Sequence, residues 1–115
     1  MKYIKFDPMP RTQLETALTS EDTKEVYTAL MSAVYHDEDW RWVQEQCHRF
    51  LNSPNRQLRV GAIQGLGLVA VFRKQLDADR AVAALTEILK DSEFQGEAED
   101  ALDDIRRSIP SARPS

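Results

Sequence analysis

The sequence repeats itself at an interval of 36 residues, and no other feature limits its fold so strongly. Ala29-Leu30, Gly65-Leu66 and Ala101-Leu102 fall in register at that spacing, as do Val26, Ala62 and Ala98, and then Ala33, Val69 and Ile105. A fixed period of this kind marks an array of supersecondary units, each too small to bury its apolar face alone and therefore stacked on its neighbours. Within each unit the apolar residues recur at three- and four-residue steps, the helical period, and nowhere at the two-residue step of a half-buried strand.

That periodicity predicts six helices. After an extended opening strip held out of helix by Pro8 and Pro10, a short helix over 12–19 places Leu14, Ala17 and Leu18 on one side. A second runs from an N-cap at Ser20 to about residue 35, with Val26, Ala29, Leu30, Ala33 and Val34 inward. Asp39 can cap a third over 40–51, which buries Val43, Cys47, Phe50 and Leu51, and Asn52-Ser53-Pro54 stops it. The longest helix, 55–74, faces inward with Leu58, Ala62, Leu66 and Val69, and Gly61, Gly65 and Gly67 let a neighbour approach closely. Helices over 78–90 (Val82, Leu85, Ile88, Leu89) and 94–109 (Ala98, Ala101, Leu102, Ile105) complete the set. The first members of the pairs also superimpose, Leu14, Ala17 and Leu18 on Cys47, Phe50 and Leu51 and then on Leu85, Ile88 and Leu89, so six helices make three hairpins.

A chain of 115 residues fits one domain, 1–115, and can bury a core without staples. A tail from 109 onward, rich in Pro and Ser, is expected to be flexible. Cys47 is the single cysteine, so neither an intramolecular disulfide nor a zinc framework is open to it. A reducing compartment suits it, and the N-terminus lacks the apolar core of a signal peptide, so the cytoplasm is the expected location and no membrane contact is expected.

Charge is unevenly spread. Residues 1–74 carry ten Lys and Arg against nine Asp and Glu, whereas 75–105 carry ten acids against only Arg80 and Lys90. Nucleic-acid binding draws most of its affinity from cations that neutralise phosphate, so direct DNA or RNA binding is disfavoured. Glu97, Asp100 and Asp104 form one stripe at helical spacing, and like charges so placed cost an isolated helix a few tenths of a kcal/mol. That acidic run, with Glu99 and Asp103, is either a solvated helix face or a docking surface for a basic partner. Trp40 and Trp42 lie roughly 200° apart around a helix axis, so they cannot share one buried face. Either one ring is core and the other, with neighbouring Tyr35, forms an exposed aromatic patch suited to a binding hot spot, or both rings cover repeat edges.

Catalytic chemistry finds little support. Cys47 sits on the apolar stripe, where a thiolate is suppressed, and His48 beside it points about 100° away. His36 and His48 are the only histidines, and neither stands in a metal-binding spacing. No catalytic residue, metal or cofactor is expected.

The segment Asn55-Arg56-Gln57-Leu58-Arg59-Val60-Gly61-Ala62-Ile63-Gln64-Gly65-Leu66-Gly67-Leu68-Val69 resembles the second helix of a HEAT repeat, with its Asp or Asn start, Val-Arg, Ala and Ala-Leu-Gly. Asp91, Phe94, Ala98, Ala101 and Leu102 repeat the pattern, with Gln95 in place of the family arginine and Asp103 in place of its glycine. The resemblance implies an all-α fold of three HEAT-like hairpins in a short right-handed α-solenoid, with a period somewhat shorter than the family's. The stretch 35–44, Tyr-His-Asp-Glu-Asp-Trp-Arg-Trp-Val-Gln, and the Asp-Ala-Leu-Asp-Asp-Ile ending at Asp100 to Ile105 are similar to immunity proteins of contact-dependent and other polymorphic toxin systems. This implies a protein-binding module that neutralises a basic toxin domain, such as a nuclease, with partner contacts expected at Tyr35, Asp39, Trp42, Glu97, Asp100, Asp103 and Asp104. The alternatives are an adaptor in a larger assembly and, further off, a lyase-type enzyme.

Overall fold

The computed structural model describes residues 6–112, and every long element among them is an α-helix. The order is α1 (Arg11–Ala17), α2 (Thr23–His36), α3 (Trp40–Phe50), α4 (Arg56–Arg73), α5 (Ala78–Ile88) and α6 (Gln95–Ser108), closed by a single 3-10 turn at Pro110–Ala112. Side-chain caps fix four of the starts. Asp22, Asp39, Asn55 and Asp77 accept hydrogen bonds from the backbone N–H of Lys24, Trp42, Leu58 and Arg80, satisfying donors that the first turn leaves unpaired. The cap expected at Ser20 therefore lies two residues later. Ser20 Oγ is engaged instead with the Asp22 N–H and the Glu25 carboxylate, which delays the helix.

Helices α2, α4 and α6 pack side by side, and α1, α3 and α5 each back onto the helix that follows it in sequence. The 36-residue register is thus a spatial one: Leu30, Leu66 and Leu102 lie at equivalent places in one continuous core, all nearly inaccessible to water. Of the residues expected inward, Phe50, Val82 and Leu89 are only half-buried.

Two glycines set the spacing of the central helix α4. A β-carbon at Gly65 would stand 2.9 Å from Cys47 Sγ, and one at Gly67 would stand 3.1 Å from the Ala101 α-carbon, so a side chain of α3 and the backbone of α6 each fill the space the glycines leave. Arg59 ties successive hairpins together: its Nε donates to the Leu51 carbonyl at 2.8 Å, its Nη1 lies 3.4 Å from Asp91, and its guanidinium covers the Phe94 ring. Gln95, at the equivalent place one period on, offers no such staple.

The strip 6–10 crosses α2. Ser32 Oγ donates to the Asp7 carbonyl at 2.6 Å, His36 Nε2 donates to the Phe6 carbonyl, and the Phe6 ring stacks on Tyr35 and meets Tyr27 edge-on. At the other end Ile109 is buried, and the turn at Pro110–Ala112 packs against α5 and α6. Of the tail expected to be flexible, residues 109–112 are therefore packed, and 113–115 lie outside the described residues.

Candidate protein-interaction surface

The α2, α4, α6 layer leaves one broad side uncovered by other helices. Along α4 this side is marked by Gln64, Leu68 and Phe72, spaced by four residues and hence one above another. Between α4 and α6 runs an open groove of about 240 Å³, lined by Gln64, Leu68, Glu97, Asp100, Ala101 and Asp104. The acidic stripe of the sequence thus forms one wall of the groove. Gly67 allows it, since its missing side chain leaves room for the Asp104 carboxylate beside α4.

Asp103 belongs elsewhere. It points to the neighbouring face of α6, where it pairs with Arg107 at 2.6 Å. Among the described residues Glu97, Asp100 and Asp104 form no ion pair. Glu97 lies in the first turn of α6, where the helix dipole favours a negative charge. Asp100 and Asp104 lie beyond that turn and have no such compensation.

Tyr35 and Phe72 are each 40% exposed and are the large hydrophobic side chains left most open among the described residues. Their rings lie 5.2 Å apart, and Tyr35 also stacks on Phe6, so the three rings make a ridge across α2 and α4. Phe72 was absent from the residues proposed from sequence. The four-residue step from Gln64 through Leu68 to Phe72 is the signal that could have found it.

The other expected contact residues do not join this surface. Arg11 donates to both carboxylate oxygens of Asp37, lies 3.4 Å from Asp39 and sits 3.8 Å above the Trp42 ring, so Asp39 and Trp42 serve to fasten α1 to the start of α3. Neither tryptophan is core. Trp40 is also half-buried, and its Nε1 donates to Gln75 at 2.9 Å. Both rings lie at the edge of the core, Trp40 held by Gln75 and Trp42 beneath Arg11.

Cys47 is fully buried, and loss of hydration pushes its thiol up to about 12, which removes the thiolate needed for nucleophilic work. Gln44 is buried too. It accepts from the Asp77 N–H at 2.9 Å and donates to the Asp77 carbonyl at 3.0 Å, and its amide nitrogen reaches His48 Nε2 at 3.3 Å. Desolvation first, and then the Arg80 charge, hold the His48 imidazole below its ordinary range. Arg80 in turn bonds Glu45 and lowers that carboxyl. Both histidines therefore have structural partners. Among the described residues no group of three or more His, Cys, Asp or Glu is placed to hold a metal, and no helix is long and apolar enough to cross a membrane.

A chain in the crystal structure of the CDI complex from Cupriavidus taiwanensis LMG 19424 has the same fold, with a TM-score of 0.83 and 28% sequence identity over 93% of this chain and 96% of that one. No protein-family model matches the sequence, and no curated protein matches it.

Proposed function

We propose that this chain is the immunity member of a contact-dependent inhibition pair, a cytoplasmic protein that binds a cognate toxin domain and neutralises it. The observation that carries the reading is the likeness, along nearly the whole of both chains, to a component of a CDI complex. Such a pair has a toxic member and a protective one. The protective role suits this chain, because its single thiol is buried and unreactive, while His36 and His48 are taken up by the strip carbonyl and by Gln44. What it offers a partner is area and charge, which is the equipment of a binder.

In this reading the three hairpins form a short right-handed solenoid of the HEAT kind, whose second helices α2, α4 and α6 supply the recognition side. The toxin presents a basic surface, as a nuclease does around its substrate site. Neutralisation then needs no chemistry, only a complex that covers that surface.

Co-expression with the product of the neighbouring reading frame tests the proposal. Cells producing that product alone are expected to stop growing, and this chain is expected to restore growth and to co-purify with it in a stoichiometric, salt-sensitive complex. Growth arrest that this chain leaves unrelieved would overturn the immunity role.

A further inference from the structure

We infer that the toxin docks on the open side of α4, with an apolar side chain seated on the Tyr35–Phe72 ridge and a Lys or Arg side chain entering the groove beside Asp100 and Asp104. This rests on the immunity reading and assigns the partner's chemistry at its surface.

The ridge comes first. Large aromatic rings left open to water and touching one another are costly to a lone monomer and are what binding hot spots are made of, since they desolvate a wide area with little loss of side-chain entropy. Phe6 stacks on Tyr35, so the ridge is held in place before any partner arrives. Leu68 continues it by one helical turn, a rise of about 6 Å, into the groove floor.

Charge complementarity then fixes the occupant. Three of the six residues lining the groove are carboxylates, and no cation lines it. The groove is open and smaller than the roughly 300–1,000 Å³ of an ordinary small-molecule pocket, so its dimensions suit one inserted side chain. A cation entering there meets an apolar floor and two acids without internal partners. The Trp42 region lacks these properties, since its aromatic face already carries the Arg11 guanidinium and its acids are already paired.

The test is association kinetics between purified full-length variants and the toxin product of the neighbouring reading frame, read at several salt concentrations. Phe72→Ala, and Tyr35→Ala as a second ridge variant, are expected to weaken affinity about tenfold or more by faster dissociation, with the salt dependence unchanged. Asp100→Asn with Asp104→Asn is expected to slow association and flatten the salt dependence. Asp103→Asn and Trp42→Ala are the controls, each expected within about twofold of the parent. All the substituted residues are at least partly exposed, and an unfolding curve for each variant is to be recorded first, so that only folded variants are compared.

If the parent binds and the ridge and groove variants bind as it does, this surface is wrong and the immunity role stands. Failure of the parent itself to bind removes the immunity role, and this surface with it. Should Phe72→Ala instead turn a dimer of this chain into monomers without changing toxin affinity, the ridge is a self-association surface and the proposal fails.

Discussion

The side-chain amide of Gln44 closes both backbone groups of Asp77, accepting from its N–H at 2.9 Å and donating to its carbonyl at 3.0 Å. One buried side chain on α3 thereby fixes the loop that starts α5, while Asp77's own carboxylate caps that helix. Gln44→Met keeps the volume and leaves the Asp77 N–H without its partner, while the Asp77 carbonyl keeps the Ala81 N–H. With a penalty for an unmet polar group of about 1–3 kcal/mol, reduced here because Asp77 is reached by water, and with the lost carbonyl bond added, a net loss of about 1–2 kcal/mol is expected in urea unfolding, with the slope unchanged.

The same glutamine gives His48 a preference. Its amide orientation is set by Asp77, so its nitrogen faces His48 Nε2, which accepts only while the ring is neutral. Burial and Arg80 also favour the neutral ring. The folded state therefore takes up this proton at lower pH than the unfolded state, whose histidine titrates near 6.5. Below that value the unfolded chain gains protons first, and stability falls as pH falls. Thermal unfolding should show a drop between about pH 7.5 and pH 5.5 that is smaller in His48→Gln. Equal pH dependence in the two proteins would count against it. The Glu45 carboxyl, lowered by Arg80, acts in a separate and more acidic window, below its ordinary 4.5.

Gly65 and Cys47 form a matched pair. A β-carbon at 65 would press on Cys47 Sγ at 2.9 Å and on Val34 Cγ2 at 3.2 Å, and both neighbours are buried. Gly65→Ala alone should cost about 1–2 kcal/mol, since overpacking outweighs the gain in helix propensity. In a Cys47→Ala background the clash with sulfur goes, and the same substitution should cost at least about 0.5 kcal/mol less. A double-mutant cycle in chemical denaturation measures the difference, and additivity would refute it.

Lys74 ends α4 with φ 55° and ψ 24°, a left-handed conformation that strains a residue with a side chain. Its backbone N–H still caps the Ala70 carbonyl. Lys74→Gly should stabilise the protein by about 0.5–1 kcal/mol, the relief of strain exceeding the entropy glycine adds to the unfolded chain. A lower melting temperature would contradict this.

Much of the architecture was legible because the repeat writes the same apolar positions three times. Leu30, Leu66 and Leu102 support one another as no single segment could, and the starts of α3 and α4 were signalled by Asp39 and Asn55. What depended on tertiary context was hidden. Ser20 has the chemistry of a cap, yet its hydroxyl is captured by Glu25 and the Asp22 N–H. The helical spacing of Trp40 and Trp42 left two arrangements open, one ring in the core or both rings at the edges, and only the tertiary contacts of Trp40 with Gln75 and of Trp42 with Arg11 select the second. Within the acidic run, the three- and four-residue steps correctly grouped Glu97, Asp100 and Asp104. Asp103 lies outside that stripe, since a helix turns it about 100° from Asp104, and it pairs with Arg107. The ridge required knowing that the strip 6–10 lies on α2, a contact that no local pattern encodes.

The seam between α4 and α6 is closed by Gly67 against Ala101, two residues with almost no side chain. Above it, Gln64, Glu97 and Asp100 make no side-chain hydrogen bond to the rest of the described chain. The fold is held together beneath them and does not consult them. Substitutions at these positions can accumulate without repacking the core, so such a surface is free to change its preferred partner in small steps while the scaffold stays as it is.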